Sequence, residues 1–504
     1  MLPSLRILLA LVLTFGAVCA APSPVKSQST IAPQGFGAAI ADATVAPAAT
    51  TAASPPVQAA AASPQIHLGY GINVSAWDAQ KQAWATELGL DWVKLYNLPG
   101  ERLPFNVLLR LHGNWADYDD LDAYCAYVQG QAAAGLGKVE AYEIGNEPNL
   151  DWAWSEGAPG TELPNPAEYT AVLQKAHQCI TAIDPTAIIV SGGLATVGPY
   201  DANADPPAYP NAWNDLKFLQ AMYDHDARGY FDALGSHPYG FYFPPEQEPG
   251  GWADNPIYGN MYVDGLAFRR AEQQRAVMLA NDDADTPIWA TEWGWLLQEA
   301  GCRSAWEAQG RWWQVVDETT QADYIARAFD YAYDRWPWMG VMFLFNLDFS
   351  LSTWYDACDA VRYYAVRHTD SSARQAYNAV RDLPKRPYAV VSPQAVSLFL
   401  ADEERGIYSR TVQVQSAGVE PLTYTVSADA PWLGVPGGVF TNSGHLTLTI
   451  DTTAFAIGAT TAAITVTTNG GLSHVHKPVT VTVVVADEVW RIYLPLTLKA
   501  FESP

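Results

Sequence analysis

Two glutamates carry the first chemical signal in this chain. Glu147 stands in Asn146-Glu147-Pro148, within Val139–Asn149, a stretch that opens with β-branched and aromatic residues and closes in turn-forming Gly-Asn-Glu-Pro-Asn. Glu292 stands in Trp289-Ala290-Thr291-Glu292-Trp293-Gly294-Trp295, at the end of another apolar run. Acidic side chains at the C-terminal tips of two barrel strands face a common opening. Held there, burial and mutual repulsion raise the pKa of one and leave the other low, so the pair can divide acid and nucleophile roles across a single bond. Glu143 is a competing carboxylate. Strand alternation gives it the same facing as Glu147 but deeper, a position suited to a structural ion pair.

The elements that must position this pair follow a rhythm. His67–Val74, Asp91–Asn97, Asn106–Gly113, Val139–Gly145, Ala187–Leu194, Phe231–Tyr239, Thr286–Trp293 and Met339–Asn346 read as strands. Helical patterns lie between or after them: Trp77–Leu88, Asp119–Ala133, Pro166–Ile183, Ala212–Tyr223, Leu266–Ala280, Gln321–Arg335 and Ser371–Arg381. Only Leu98–Phe105 joins the second strand to the third, too short for a full helix. The alternation predicts a parallel sheet and, with eight units over residues 65–383, an α/β fold of the (β/α)8 TIM-barrel type. The competitor, an open doubly wound sheet, usually carries a glycine-rich first turn for a nucleotide, which Gly69–Ile72 does not supply. In a barrel, strands four and seven oppose each other across the mouth. Two carboxyl groups flanking one bond are what glycoside hydrolysis needs.

Further polar and aromatic residues fall near the expected mouth. Arg110 and His112 are two apart and share a strand face. They are candidates for binding substrate or orienting Glu147, and equally for an ion pair inside the barrel; Lys94 is similar. Asn346, at the end of the eighth strand, is a further candidate contact. Trp152, Trp154, Trp252 and Trp295 offer flat apolar faces for a sugar ring, or pack under loops. The loops Gly240–Asp264 and Leu296–Thr320 are long and rich in aromatics, as functional loops often are.

Asn146-Glu147-Pro148 resembles the acid/base motif of clan A glycoside hydrolases, retaining enzymes built on (β/α)8 barrels. Glu292 matches their nucleophile on strand seven, and His237-Pro238-Tyr239 resembles the His-x-Tyr that often ends their sixth strand. Within the clan the chain is similar to families 39 and 5. The resemblance implies that Glu147 is the acid/base and Glu292 the nucleophile. It also implies that Asn146 contacts the hydroxyl next to the reacting carbon, Tyr239 bonds the nucleophile and His237 supports the site. The clan often ends strand eight in Trp; here the strand ends in Phe345-Asn346. The expected partner is an oligo- or polysaccharide, and the chemistry needs no cofactor. A carbohydrate-binding scaffold on the same barrel is the alternative. A serine hydrolase would want a Gly-x-Ser-x-Gly elbow, which the sequence lacks.

The remaining sequence bounds the setting. The formal net charge is −25 over 504 residues, which repels phosphate backbones and excludes nucleic acid as a partner class. Met1–Ala20 reads as a signal peptide, with Arg6 before the apolar Ile7–Val18 and a small-residue cleavage site at Val18-Cys19-Ala20. No later run approaches a transmembrane length, so a secreted protein is expected. Residues 21–64 read as a disordered Ala/Pro/Ser/Thr linker. Cys125, Cys179, Cys302 and Cys358 remain in the exported chain. The expected pairs are Cys125–Cys179 on successive outer helices and Cys302–Cys358 in loops after successive strands. No Cys/His cluster has zinc-site spacing. Past Pro384-Lys385-Arg386-Pro387 the period becomes two, predicting a small β-sandwich over 388–486 and a tail over 487–504. Pro431–Val435, Leu446–Asp451, Gly458 and Ile464–Asn469 resemble BACON-type modules, immunoglobulin-like domains attached to bacterial glycosidases. Trp432 is their core anchor or a sugar platform, and the module a spacer or a binder.

Overall fold

The computed structural model describes residues 6–7, 68–111, 120–154, 164–197, 208–209, 212–255, 259–263, 265–385, 388–393, 395–417, 421–469, 471–472 and 479–489. The expected signal peptide (apart from residues 6–7), the linker, His112 and residues 490–504 of the tail lie outside these residues.

The first part of the chain is a curled parallel sheet wrapped by helices. Its strands are β1 (Gly69–Asn73), β2 (Trp92–Leu95), β3 (Asn106–Leu111), β4 (Ala141–Ile144), β5 (Ile188–Ser191), β6 (Leu194–Ala195), β7 (Leu234–His237), β8 (Ile288–Trp293) and β9 (Met339–Leu344). Their order across the sheet is β5-β4-β3-β2-β1-β9-β8-β7-β6, and every neighbouring pair is parallel. Only Gly192 and Gly193 separate β5 from β6, which sit at opposite ends of that order. A parallel bridge joins Val190 to Ala233, and Ser191 N–H donates to Ala233 O at 3.1 Å. The two ends of the sheet therefore approach each other.

Burial on both faces explains why these strands are apolar rather than alternating. Inside the curl, Trp92, Leu108, Ala141, Val190, Ala233, Trp289, Val341 and Phe343 form one cluster, with Trp92 and Trp289 edge to face at 5.1 Å. A Cβ on Gly71 would lie 2.6 Å from the Phe343 ring, so glycine in β1 makes room for that filler. Outside, a larger cluster joins the other strand face to the helices. The helices are α1 (Ala79–Glu87), α2 (Leu121–Gly135), α3 (Pro166–Thr181), α4 (Asp215–Asp224), α5 (Arg270–Ala280), α6 (Arg303–Ala308), α7 (Glu318–Arg335) and α8 (Gln375–Asp382). Asp78, Asp120, Asn165, Asn214 and Asp317 cap α1, α2, α3, α4 and α7 by accepting first-turn N–H groups. No helix joins β2 to β3, as the short connection dictates.

Both expected disulfides are present. Cys125–Cys179 ties α2 to α3, and Cys302–Cys358 ties the segment after β8 to the segment after β9.

A separate all-β region follows from Tyr388. Tyr388–Ser392, Ile407–Ala417, Gly444–Asp451 and Leu433–Gly434 form one sheet. Ala395–Ala401, Val479–Ala486, Gly458–Thr468, Thr423–Ala428 and Phe440–Thr441 form the path of a second. Ala395–Ala401 runs parallel to Val479–Ala486, while the other pairings are antiparallel. Alternate residues such as Leu446, Leu448 and Ile450 point into the core with Leu398, Val412, Ile464 and Val483. Trp432 is half-buried against that core, edge-on to Phe455 at 5.1 Å.

Candidate active site

The candidate site is assembled at the C-terminal tips of the parallel strands. β4 ends at Ile144, and the chain then turns sharply through Gly145 (φ 82°) and Glu147 (φ 47°). A non-glycine residue in this left-handed region costs on the order of 1–3 kcal/mol, and such residues cluster at functional sites. The turn is held from β5 and β6. Glu147 N–H donates to Gly193 O at 3.0 Å. The buried Asn149 side chain donates to Ala195 O at 2.9 Å and accepts from Ala195 N–H at 3.0 Å. Trp154 Nε1–H donates to Pro148 O at 2.7 Å, so this tryptophan braces the turn from beneath.

Glu292 stands near the end of β8 and is 7% exposed. Its two oxygens have different partners. Oε1 lies 3.2 Å from the buried Lys94 ammonium, and Oε2 accepts the Tyr239 hydroxyl at 2.9 Å. Burial alone would push this carboxyl up. Lys94 and Arg110, with the Tyr239 hydrogen bond, overcome it and hold the group at about 2. Burial, then the charge of Glu292, push the Tyr239 phenol well above its ordinary value, so it remains a donor.

His237, at the end of β7, joins the two acids. Its Nδ1 lies 2.9 Å from Glu147 Oε1 and 3.9 Å from Glu292 Oε2. Those two distances cap the separation of the two carboxylate oxygens at about 6.8 Å, against about 5–5.5 Å between carboxyl groups in retaining glycosidases and about 6.5–9.5 Å in inverting ones. Both acids still reach solvent, with 15% of the Glu147 side chain and 9% of the Glu292 side chain accessible.

A second layer fixes these groups. Glu143 is fully buried and forms the ion pair its depth suggested, 2.7 Å from Lys94. Lys94 thus bridges Glu143 and Glu292. Asn73, at the tip of β1, donates to the carbonyls of Thr291, Phe343 and Leu344 and accepts the Tyr96 hydroxyl at 2.7 Å, tying β8 and β9 to the loop after β2. Arg110 is half-buried with its guanidinium 4.5 Å from the Tyr96 ring centre. It has no ion pair among the described residues, which separates it from the alternative of an internal pair. Asn73 and Tyr96 were not singled out from the sequence, although each ends a strand-like run, the one signal that could have found them.

The structure thus brings together Glu147, Glu292, His237 and Tyr239, with Arg110 and Lys94 beside them. Asn146 follows in the same turn, half-buried, with its Oδ1 buried and without a hydrogen-bond partner. Two expected contacts are corrected. Trp295 is fully buried against Trp293, Phe268 and Tyr324, with Nε1–H donated to Phe243 O, so its ring is core. Asn346 is also fully buried. Its amide donates to Val361 O and accepts from Phe349 N–H, which makes it a loop brace. The neighbouring Phe345, joined to Asn346 by a cis peptide bond, packs against Tyr239 and Tyr364. Trp252 is exposed on the hairpin Trp252–Asn255/Gly259–Tyr262 after β7. Among the described residues, no group of three or more His, Cys, Asp or Glu side chains is arranged to hold a metal ion, and no helix is long and apolar enough to cross a membrane.

No family model and no curated protein matches this chain. Among solved structures, it is similar to a family 39 glycoside hydrolase from the gut symbiont Bacteroides cellulosilyticus WH2, at 12% identity and a TM-score of 0.41, over 76% of this chain and 80% of that one. It is also similar to a Bacteroides uniformis beta-glucuronidase, at 10% identity and a TM-score of 0.38, over 81% of this chain and 43% of that one. A third is a GH2 beta-galacturonidase from Eisenbergiella tayi, at 11% identity and a TM-score of 0.38, over 62% and 50%. The chain spans about half or less of the latter two proteins.

Proposed function

We propose that this chain is a secreted retaining glycoside hydrolase acting on oligo- or polysaccharides, with its sheet closed as an eight-stranded barrel in which β5 and β6 are one interrupted strand. The observation that carries the reading is the placement of His237 Nδ1 between the two strand-tip acids, 2.9 Å from one and 3.9 Å from the other. The environments of the acids differ in the sense the chemistry requires. Glu292 is held ionised by Lys94, Arg110 and Tyr239, which suits a nucleophile. Glu147 is more exposed and bonded to a histidine that can accept or donate, which suits a group that must lose and regain a proton.

In this mechanism a Glu292 oxygen attacks the anomeric carbon as the bond to the leaving oxygen breaks. Glu147 gives its proton to that oxygen. Glu147 then takes a proton from water, the water oxygen attacks the same carbon, and the ester to Glu292 breaks with configuration retained. Asn146, half-buried beside Glu147 with its Oδ1 turned inward, is placed to offer its amide NH₂ to a sugar hydroxyl. The half-buried Trp432 supports a spacer role for the BACON-like domain rather than a sugar platform, and the two disulfides suit an oxidising compartment.

The test is Glu292→Ala assayed on a panel of aryl glycosides. Turnover should vanish, and added azide should restore it partly with formation of the glycosyl azide of opposite configuration. Full activity in that variant refutes the assignment. Sugar binding by the unaltered protein without hydrolysis of any panel member favours a scaffold instead.

A further inference from the structure

The proposed chemistry leaves the fully buried carboxylate of Glu143 without a part in it. Its position is specific. Oε1 accepts the Gly193 N–H at 3.3 Å and lies 4.0 Å from His237 Nε2, while Oε2 meets Lys94. His237 Nε2 is buried and has no hydrogen-bond partner, so Glu143 is the acid it faces. The opposite ring nitrogen is the one bonded to Glu147. Gly193 permits this stacking, because a Cβ there would lie 2.2 Å from Nε2 and 2.6 Å from Thr291 Oγ1.

We propose that Glu143 is a positioning residue for the acid/base: its charge keeps the His237 proton on Nε2, leaving Nδ1 as an acceptor for the proton of Glu147. The catalytic consequence rests on the glycosidase reading above. A negative charge about 4–6 Å from a titratable group favours the proton on the side that faces it. With Nε2 protonated, Nδ1 accepts from the protonated Glu147 and cannot donate to the bare carboxylate. The carboxylate gains nothing from losing its proton until the leaving oxygen takes it, and it is a ready base when water follows. No proton leaves His237 in this cycle. The other groups facing the imidazole are Glu292 from β8, whose Oε2 lies 3.9 Å from Nδ1, Thr291 from the same strand and Tyr239 from its own segment, with Lys94 reaching it only through Glu143 and Glu292. Glu143, 4.0 Å from Nε2, therefore offsets the pull of Glu292 on Nδ1, and without Glu143 that pull is unopposed.

The experiment uses the full chain labelled with ¹⁵N-histidine, with Glu143→Gln, His237→Gln and the double variant. His237→Gln identifies the His237 ring signals. In the parent protein, Nε2 should show the shift of a protonated ring nitrogen and Nδ1 that of an unprotonated one; in Glu143→Gln most of the population should exchange these roles. The alkaline limb of the kcat/KM profile should fall by roughly 1 pH unit in Glu143→Gln, and Glu143→Gln should not move it in the His237→Gln background. An unchanged ring tautomer overturns the proposal, as does an equal limb shift in both backgrounds, which would mean charge acting directly through space. If Glu143→Gln fails to fold, Glu143→Asp, which keeps the charge for Lys94, should show the same exchange in part. The ring measurement needs no substrate. A parent protein with the expected tautomer and no hydrolytic activity would therefore refute the glycosidase reading while leaving the Glu143–His237 relation standing.

Discussion

One buried ammonium, that of Lys94, serves two carboxylates. Lys94→Met keeps the length and bulk of the side chain and removes the charge. At the 3.2 Å separation from Glu292, an effective dielectric near 20 gives an attraction of about 5 kcal/mol. Breaking a buried pair by removing one partner costs about 3–5 kcal/mol. The two figures agree, and for a domain of this size they translate to a melting temperature lower by about 4–7 °C. The pH behaviour follows from the sign. With Lys94 present, the Glu292 carboxyl is depressed to about 2. The stability it contributes is therefore present above the unfolded carboxylate value of about 4.3 and is lost as pH falls towards 2. Without Lys94, burial dominates and the carboxyl rises; Arg110 and Tyr239 still oppose it, so a rise of about 1 unit or more is expected. The acid limb of kcat/KM on an aryl glycoside should move to higher pH by that amount, and the melting-temperature gap to the parent should narrow as pH falls from about 4.5 to about 2. Adding Glu143→Gln to Lys94→Met should recover part of the lost stability by removing one unpaired charge. A variant that melts lower with its acid limb unmoved would show that Lys94 only braces the sheet and that Arg110 and Tyr239 hold Glu292 ionised.

Two further perturbations probe the frame around the acids. Gly193→Ala places a methyl group 2.2 Å from the His237 ring and 2.6 Å from Thr291 Oγ1; since a displacement of about 1 Å near the chemistry costs on the order of 100-fold, kcat should fall by about that factor, and retention of parental kcat would refute the packing reasoning. Replacing Cys125 and Cys179 by Ser opens a cross-link spanning 54 residues, for which chain entropy gives about 4 kcal/mol at most. Calorimetry should show a lower melting temperature for that pair, and an unchanged one would mean that packing of α2 on α3 suffices alone.

Much of this architecture is legible in the sequence because its signals are local. Short apolar runs ended by Gly, Asn or Pro marked the strands, and capping Asp and Asn residues accompany the helices between them. Cys125 and Cys179 could be paired because the two helical patterns that carry them are neighbours in a right-handed succession. Period two marked the sandwich strands, and alternation placed Glu143 below Glu147, where it does meet a lysine. What was not legible depends on contacts between separate segments. Trp295 stands three residues beyond Glu292, so alternation sets it on the face of Trp293, towards the helices, where its indole is buried; an aromatic at a strand tip is no sign of a sugar platform without that count. Asn346 gives its amide to Val361 and Phe349, contacts beyond its own run. Asn73 and Tyr96 act through contacts between strands far apart in sequence, which no single run reveals. The break at Gly192-Gly193 between β5 and β6 is hidden because Ala187–Leu194 reads as a single strand.

The bond between Cys302 and Cys358 bears on how such a protein can be re-engineered. Trp306 donates its indole N–H to the carbonyl of Cys358 and packs edge-on to Tyr363, so residues from two separate insertions interlock beside Phe345 and Tyr364. Neither insertion is a free module. A graft meant to change what this rim accepts would have to carry both segments and both cysteines together, and a host with a reducing interior would deliver the transplanted rim unlatched.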